Sequence, residues 1–170
     1  MIIIDTDILS MFAKADALDL LLKFTGKAQI GMTPAIADEV LVPLQYGYDF
    51  PLQILAQIPI IPISASVGEA SVQLQLETAK LGRGEREAIA FCQVEKVLFA
   101  TNDAIARKFA QEQGVQVISL QAILRGLWVS GVSSLEEVRT LLERIKRTDY
   151  LDVPAAVESE IFRLDEEQCR

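Results

Sequence analysis

Short apolar runs alternate along the chain with longer segments in which apolar residues recur every three or four positions. The short runs predict β-strands, and the longer amphipathic segments predict helices. A regular alternation of strands and helices favours a parallel sheet that is covered by helices on both faces. The predicted strands are residues 2–4, 28–32, 60–63, 97–101 and 115–118.

Several predicted helices carry clear start signals. Thr33 followed by Pro34 is typical of a helix start, with Thr as the cap and Pro in the first turn. Segments 66–69 and 134–137 each match a capping box, in which a Ser and a Glu three residues later accept hydrogen bonds from each other's backbone amides. We therefore expect helices to begin near residues 34, 66 and 134.

The sequence predicts a helix near each end of the chain and one irregular segment between them. The first helix is expected over residues 8–23, with Asp7 as its cap, and the last over residues 154–167. Residues 45–62 contain one glycine and three prolines, so we expect them to be irregular. We expect residues 1–131 to form an α/β domain and residues 132–170 a helical extension that packs on it.

Composition excludes several classes of chemistry. The chain has 170 residues, 51% of them hydrophobic, which is enough for one domain with a sizeable core. It contains no His, and this removes Ser/His and Cys/His nucleophile pairs and the usual zinc sites. Cys92 and Cys169 are too few for a disulfide framework, and no apolar stretch reaches membrane-spanning length. A cytoplasmic protein that uses carboxylates and does not contact a membrane is the expectation.

Carboxylates follow two of the predicted strands directly. Asp5 ends the buried strand 2–4, and Asp103 follows the strand 97–101. In open α/β sheets, ligands bind at the carboxyl ends of the strands. Helix-capping is the competing interpretation for Asp103, as it is for Asp7, and early-turn acids such as Glu85 and Glu87 also stabilise the helix dipole.

Two flanking helices would bring further acids to this edge. Glu87 is followed by small and apolar residues and is the better candidate than Glu85 to face inward, whereas periodicity does not decide between Asp38 and Glu39. Converging carboxylates repel one another unless a cation neutralises them. Because Mg²⁺ and Mn²⁺ prefer oxygen ligands, either ion would suit such a site. The net charge of −8 is unfavourable for nonspecific binding of nucleic acid, although it permits a local basic groove.

Four segments, in this order and spacing, resemble the motifs of the PIN-domain ribonucleases, which include the VapC-type toxins. They are residues 2–9, 33–41, 84–90 and 99–103, the third being similar to the Gly-Glu-x-Glu-Ala-Ile pattern of one PIN subgroup. The resemblance implies a three-layer α/β/α fold with a parallel five-stranded sheet of order 3-2-1-4-5. It also implies metal-dependent cleavage of single-stranded RNA, and many toxin members are dimers inhibited by an antitoxin that covers the site.

The same resemblance implies roles for individual residues. Asp5 would be the central ligand of Mg²⁺ or Mn²⁺, and Glu39, Glu87 and Asp103 would complete the metal site. Residues that would support these ligands are Thr6, Asp7, Thr101 and Asn102. Residues that would contact phosphate are Arg83, Arg86, Arg107 and Lys108, although a solvated helix face is the favoured interpretation for any one of them.

Two other function classes remain open on the sequence alone. Asp5-Thr6-Asp7 after an apolar strand also resembles the opening of haloacid-dehalogenase-type phosphatases, but Leu9 replaces their usual Thr or Val. Alternatively, the acids only cap helices, and the chain is a non-catalytic binding or assembly module. Trp128 and the apolar residues of 50–63 would then supply its interface.

Overall fold

The computed structural model of the chain describes residues 1–26 and 29–163. Four parallel strands form its sheet in the order β2-β1-β3-β4. They are β1 (Ile2–Ile4), β2 (Ile30–Gly31), β3 (Leu98–Ala100) and β4 (Val117–Ile118). The two central strands are β1 and β3, so the residues that follow them emerge side by side.

Helices make up most of the rest of the described chain. They are α1 (Thr6–Lys14), α2 (Leu18–Thr25), α3 (Pro34–Leu41), a 3₁₀ helix (Val42–Tyr46), α4 (Phe50–Gln57), α5 (Ala65–Glu77), α6 (Arg83–Glu95), α7 (Ala104–Glu112), α8 (Leu120–Val129), α9 (Leu135–Asp149) and α10 (Ala155–Ile161). None of the helices described in residues 1–26 and 29–163 is long and apolar enough to cross a membrane.

The four strands keep the order that the resemblance implies, but a fifth strand is not confirmed. The predicted strand 60–63 forms one isolated parallel bridge, between Met32 and Ile60. The amide of Ile61 donates to the carbonyl of Met32 at 2.8 Å, and the ladder ends there, because the next residue that would face this segment is Pro34, which has no amide and begins α3. The predicted strand 28–32 is described only from residue 29, because Ala28 lies outside the described residues.

The first predicted helix is in fact two. The chain leaves α1 through Asp16, which has a positive φ of 52°, and begins α2 at Leu18. The helix also starts two residues earlier than predicted, with Asp5 at its cap, so the assignment of Asp7 as the cap was wrong. Asp7 instead lies in the first turn of α1, where its charge favours the helix dipole.

Two other predicted boundaries were wrong for identifiable reasons. The segment 45–62 contains α4, because Pro51 stands in the first turn of that helix, where no amide is required. The predicted capping box at 66–69 is displaced, since Ser64 accepts the amide of Val67 and α5 begins at Ala65. The predicted last helix is observed only over α10, and residues 164–167 of it lie outside the described residues.

The C-terminal helices share the core of the sheet. The helix α9 begins at the predicted capping box, in which Ser134 and Glu137 exchange hydrogen bonds of 2.7 and 3.2 Å. Its apolar face is buried and packs against α1 and α8. The Lys14 ammonium of α1 donates to Asp149 of α9 at 2.6 Å. The helix that follows β1 is therefore held between the sheet and the C-terminal part of the chain.

Candidate active site

Asp5 occupies the junction of β1, β3 and α1. Its backbone amide donates to the carbonyl of Ala100 at 2.9 Å, which extends the ladder of the two central strands. Its carboxylate is 4% exposed and accepts the amide of Thr6 and the hydroxyl of Thr101, each at 2.8 Å. The pKa of this carboxyl is raised to about 7. Burial is the largest cause, the Thr101 hydrogen bond lowers the pKa, and the charges of Asp7 and Glu85 contribute to the increase.

Asp7 and Asp103 lie at the starts of α1 and α7. Asp103 caps α7, as predicted, by accepting the amide of Ala106 at 2.7 Å. The pKa of Asp7 is raised by partial desolvation of its carboxylate and next by the charges of Asp103 and Asp149, although Lys14 opposes the increase. These carboxylates are therefore close enough to repel one another.

Glu39 reaches the same place from the far end of α3. Its Oε2 accepts the hydroxyl of Thr6 at 3.0 Å, and its Oε1 accepts the amide of Gly84 at 2.8 Å. A Cβ atom at Gly84 would lie 2.5 Å from Oε2 of Glu39. A larger residue here would therefore force the Glu39 carboxylate away from the first turn of α6.

The two glutamates of the Gly-Glu-x-Glu segment take different directions. Glu87 is buried, as predicted, but its Oε1 accepts the amide of Ala35, in the first turn of α3, at 2.8 Å. Glu85 is half-buried and accepts the amide of Gly82 at 2.7 Å. Burial raises the pKa of Glu85, the Gly82 amide lowers it, and the charges of Asp103, Glu39 and Asp7 raise it again.

Charge repulsion thus links five acids at this edge of the sheet, and we call them the acidic cluster. They are Asp5, Asp7, Glu39, Glu85 and Asp103. Sequence reasoning found Asp5, Glu39 and Asp103 through the motifs and placed Asp7 beside them. It passed over Glu85 in favour of Glu87, because the apolar residues after Glu87 indicate burial but do not indicate which neighbour the carboxylate meets.

The four predicted phosphate-binding side chains are spread over several surfaces. Arg83 forms an exposed ion pair with Asp38 at 3.3 Å, and Arg86 donates to the carbonyl of Leu81. Arg107 lines a cavity beside Ser119 at the start of α8, and Lys108 lies 3.9 Å from Glu112. Arg86 is the nearest of them in sequence to the acidic cluster, since it follows Glu85 directly in α6.

The donor set of the acidic cluster fits a hard divalent cation. All its side-chain ligand atoms are carboxylate oxygens. Burial, and next the charges of neighbouring acids, raise the pKa values of Asp5, Asp7 and Glu85, and a cation would offset those charges. Among residues 1–26 and 29–163, no group of three or more acids is already arranged to coordinate a metal ion. Oxygens of Asp5 and Glu39 accept hydrogen bonds instead, but a carboxylate oxygen with one such bond keeps a second lone pair for a cation.

A parallel sheet with acids gathered at the carboxyl ends of its central strands defines a mixed α/β protein. A sequence profile described as the PIN domain matches residues 1–167, and the chain belongs to the PIN-domain family. No curated protein matches the chain significantly. PIN domains are generally nucleases, and they typically use divalent metals. The resemblance drawn from the four motifs is therefore confirmed at the level of the family, while the Gly-Glu-x-Glu-Ala-Ile subgroup stays a prediction.

Proposed function

We propose that this PIN domain is a metal-dependent endoribonuclease that hydrolyses single-stranded RNA. The observation that carries the proposal is the environment of Asp5. A carboxylate that is 4% exposed, with a pKa raised to about 7 and with other acids around it, is destabilised as long as it stands alone. Acids with strongly shifted pKa values cluster at functional sites, because binding and catalysis there use charged groups whose burial is unfavourable for folding.

The chain's own residues would hold and orient the ion. Asp5 is the central ligand in this proposal, with Glu39 and Asp103 beside it, and the ion is Mg²⁺ or Mn²⁺. Thr6 fixes two of these acids together, because its amide donates to Asp5 and its hydroxyl to Glu39. Asp7 adds negative charge, and Asn102 follows Thr101 at the same sheet edge. When bound, the ion would activate a water and neutralise the charge that develops on the phosphodiester.

Substrate and partners are part of the same proposal. Arg83, Arg86, Arg107 and Lys108 are the proposed phosphate contacts, and the family resemblance supports single-stranded RNA as the substrate. It also supports a homodimer and an antitoxin partner in the cytoplasm. Nuclease chemistry has stronger support than a role as a toxin, because the chain is longer and more acidic than a typical VapC toxin.

Cleavage of a labelled single-stranded RNA pool tests the proposal. Purified protein is incubated with Mg²⁺, with Mn²⁺ or with EDTA, alongside Asp5→Asn. We expect cutting with either metal, no cutting with EDTA, and a loss of at least about 100-fold in Asp5→Asn, since a ligand is removed from the centre of the site. Full activity in Asp5→Asn would refute the proposed metal site.

One observation favours a second candidate, a non-catalytic binding module. Each acid predicted to bind metal already serves a helix start: Asp5 and Asp103 are caps, and Glu39 and Glu87 accept first-turn amides of a neighbouring helix. Calorimetric and thermal titration with Mn²⁺ separates the candidates, because a ligand at 100 times its Kd stabilises the fold by about 2.7 kcal/mol. An unchanged Tm would favour the binding module. Membership of the PIN family leaves the haloacid-dehalogenase-type alternative without support.

A further inference from the structure

The helices α3 and α6 exchange carboxylates at their N-terminal turns. The first amides of a helix have no partner within the helix and must find one outside it. In α3 the amide of Ala35 donates to Glu87 of α6, and in α6 the amide of Gly84 donates to Glu39 of α3, both at 2.8 Å. Each amide belongs to the second residue of its helix. The two helices therefore hold each other through a reciprocal pair of hydrogen bonds.

Both ends of this exchange are enclosed by protein. Glu87 is 6% exposed and Ala35 1% exposed, and Gly84 is buried as well. The Gly84 amide can be reached by Glu39 only because the glycine has no Cβ. A carboxylate at a helix N-terminus also interacts favourably with the helix dipole. Displacement of either glutamate would consequently leave an amide of the partner helix without an acceptor.

We propose that Glu87 is a positioning residue, which fixes the start of α3 against α6 and thereby holds Glu39 in the acidic cluster, and that it is not a metal ligand. The geometry of the exchange carries this assignment, because the Glu87 carboxylate is directed to Ala35 while Glu39 is shared between Gly84 and Thr6. Insofar as Glu39 serves a metal, the inference rests on the proposed function. The exchange itself exists without any metal and can be tested without one.

Substitutions of Glu87 separate the two roles, because a hydrogen-bond acceptor and a metal ligand have different requirements. Glu87→Gln keeps an oxygen at the right distance and removes the charge. Glu87→Asp keeps the charge and shortens the side chain, and Glu87→Ala removes both. A positioning residue tolerates Gln better than Asp, whereas a ligand of a hard cation requires the carboxylate. Asp5→Asn serves as the control for loss of a ligand.

The first measurement is Mn²⁺ affinity by calorimetry. We expect Glu87→Gln to bind Mn²⁺ within about threefold of the unmodified protein, and Glu87→Asp and Glu87→Ala to lose on the order of 10- to 100-fold, as supports of metal ligands commonly do. Loss of binding in Glu87→Gln equal to that in Asp5→Asn would overturn the proposal and make Glu87 a ligand.

The second measurement uses metal-free protein and follows amide hydrogen exchange at Gly84 and Ala35. A purely local role for Glu87 would expose the Ala35 amide alone. Positioning predicts that Glu87→Asp and Glu87→Ala also accelerate exchange at Gly84, whose acceptor, Glu39, is unaltered, and that Glu87→Gln does not. Unchanged protection of Gly84 in both variants would refute the proposal. If the unmodified protein binds no Mn²⁺, the proposed function fails, but exchange at the Gly84 amide still tests the positioning role of Glu87. If Glu87→Ala does not fold, Glu87→Asp alone provides this test.

Discussion

At the scale of single residues, the burial of the Asp5 carboxylate is unfavourable for folding but suits the metal site that we propose. Its two hydrogen bonds, from Thr6 and Thr101, compensate only part of the burial of its charge, because its pKa remains raised to about 7. The sequence predicted the position of Asp5 from the strand that precedes it. It did not predict that Asp5 would also cap α1, because the following Asp7 offered an equally good cap.

The raised pKa of Asp5 has a consequence for stability. Folding raises this pKa from 3.8 to about 7, so between these pH values the folded state binds a proton that the unfolded state has released. The Asp5 contribution is therefore fully favourable at low pH and is lost as pH rises through this window, at a cost of about 4 kcal/mol once the group is ionised.

Urea unfolding of metal-free protein measures this effect between about pH 4 and pH 8. The other acids titrate as well, so the informative quantity is the difference between the unmodified protein and Asp5→Asn. We expect Asp5→Asn to become progressively more stable than the unmodified protein as pH rises. A difference that does not vary with pH would show that Asp5 is not protonated in the fold.

At the scale of elements, the contact of α3 with α6 depends on Gly84. Adding a Cβ there would bring it 2.5 Å from the Glu39 carboxylate, whereas a Cβ at Gly68, within α5, would meet nothing within 4 Å. We expect Gly84→Ala to destabilise the fold by about 1–3 kcal/mol through overpacking. The matched control, Gly68→Ala, should stabilise it by about 0.5–1 kcal/mol, because Ala is the better helix former.

Chemical denaturation of the two variants gives the comparison, and Mn²⁺ titration of Gly84→Ala adds a second result. Displacement of Glu39 should weaken Mn²⁺ binding in that variant and not in Gly68→Ala. Equal stability of the two variants would mean that Glu39 can leave Gly84 without penalty, which would contradict a tightly held carboxylate.

Elements were predicted best where a hydroxyl side chain caps the helix that follows it. Ser134 with Glu137 is such a case, as is Thr33 with Pro34. Boundaries failed where the backbone conformation decided them. The reversal at Asp16 has a positive φ although the residue is not a glycine, and the prolines of 45–62 indicate an irregular segment although Pro51 lies in the first turn of α4.

At the scale of the whole molecule, the C-terminal helices complete the fold that carries the site. The α9 residues that are buried against the rest of the chain are Val138, Leu141, Leu142 and Ile145. We expect a chain that ends at residue 131 to lose cooperative unfolding, because truncation would expose this contact on α1 and α8 and remove the partner of Lys14.

Circular dichroism during thermal unfolding of the truncated and full chains tests this expectation. A sharp transition in the truncated chain would show that residues 1–131 fold independently. The order of the four strands could be predicted from the family motifs, but their number could not, because the pairing at Met32 ends at Pro34, which has no amide and begins α3.

The pairing of β1 with β3 also governs when the site can exist during synthesis. Asp5 precedes its partners Ala100 and Thr101 by about a hundred residues, so they leave the ribosome that much later than Asp5 does. Contacts of such long sequence separation form late in folding. A growing chain therefore carries no assembled acidic cluster until its central strands meet, so we expect the proposed metal site to form only after residues 98–103 have left the ribosome.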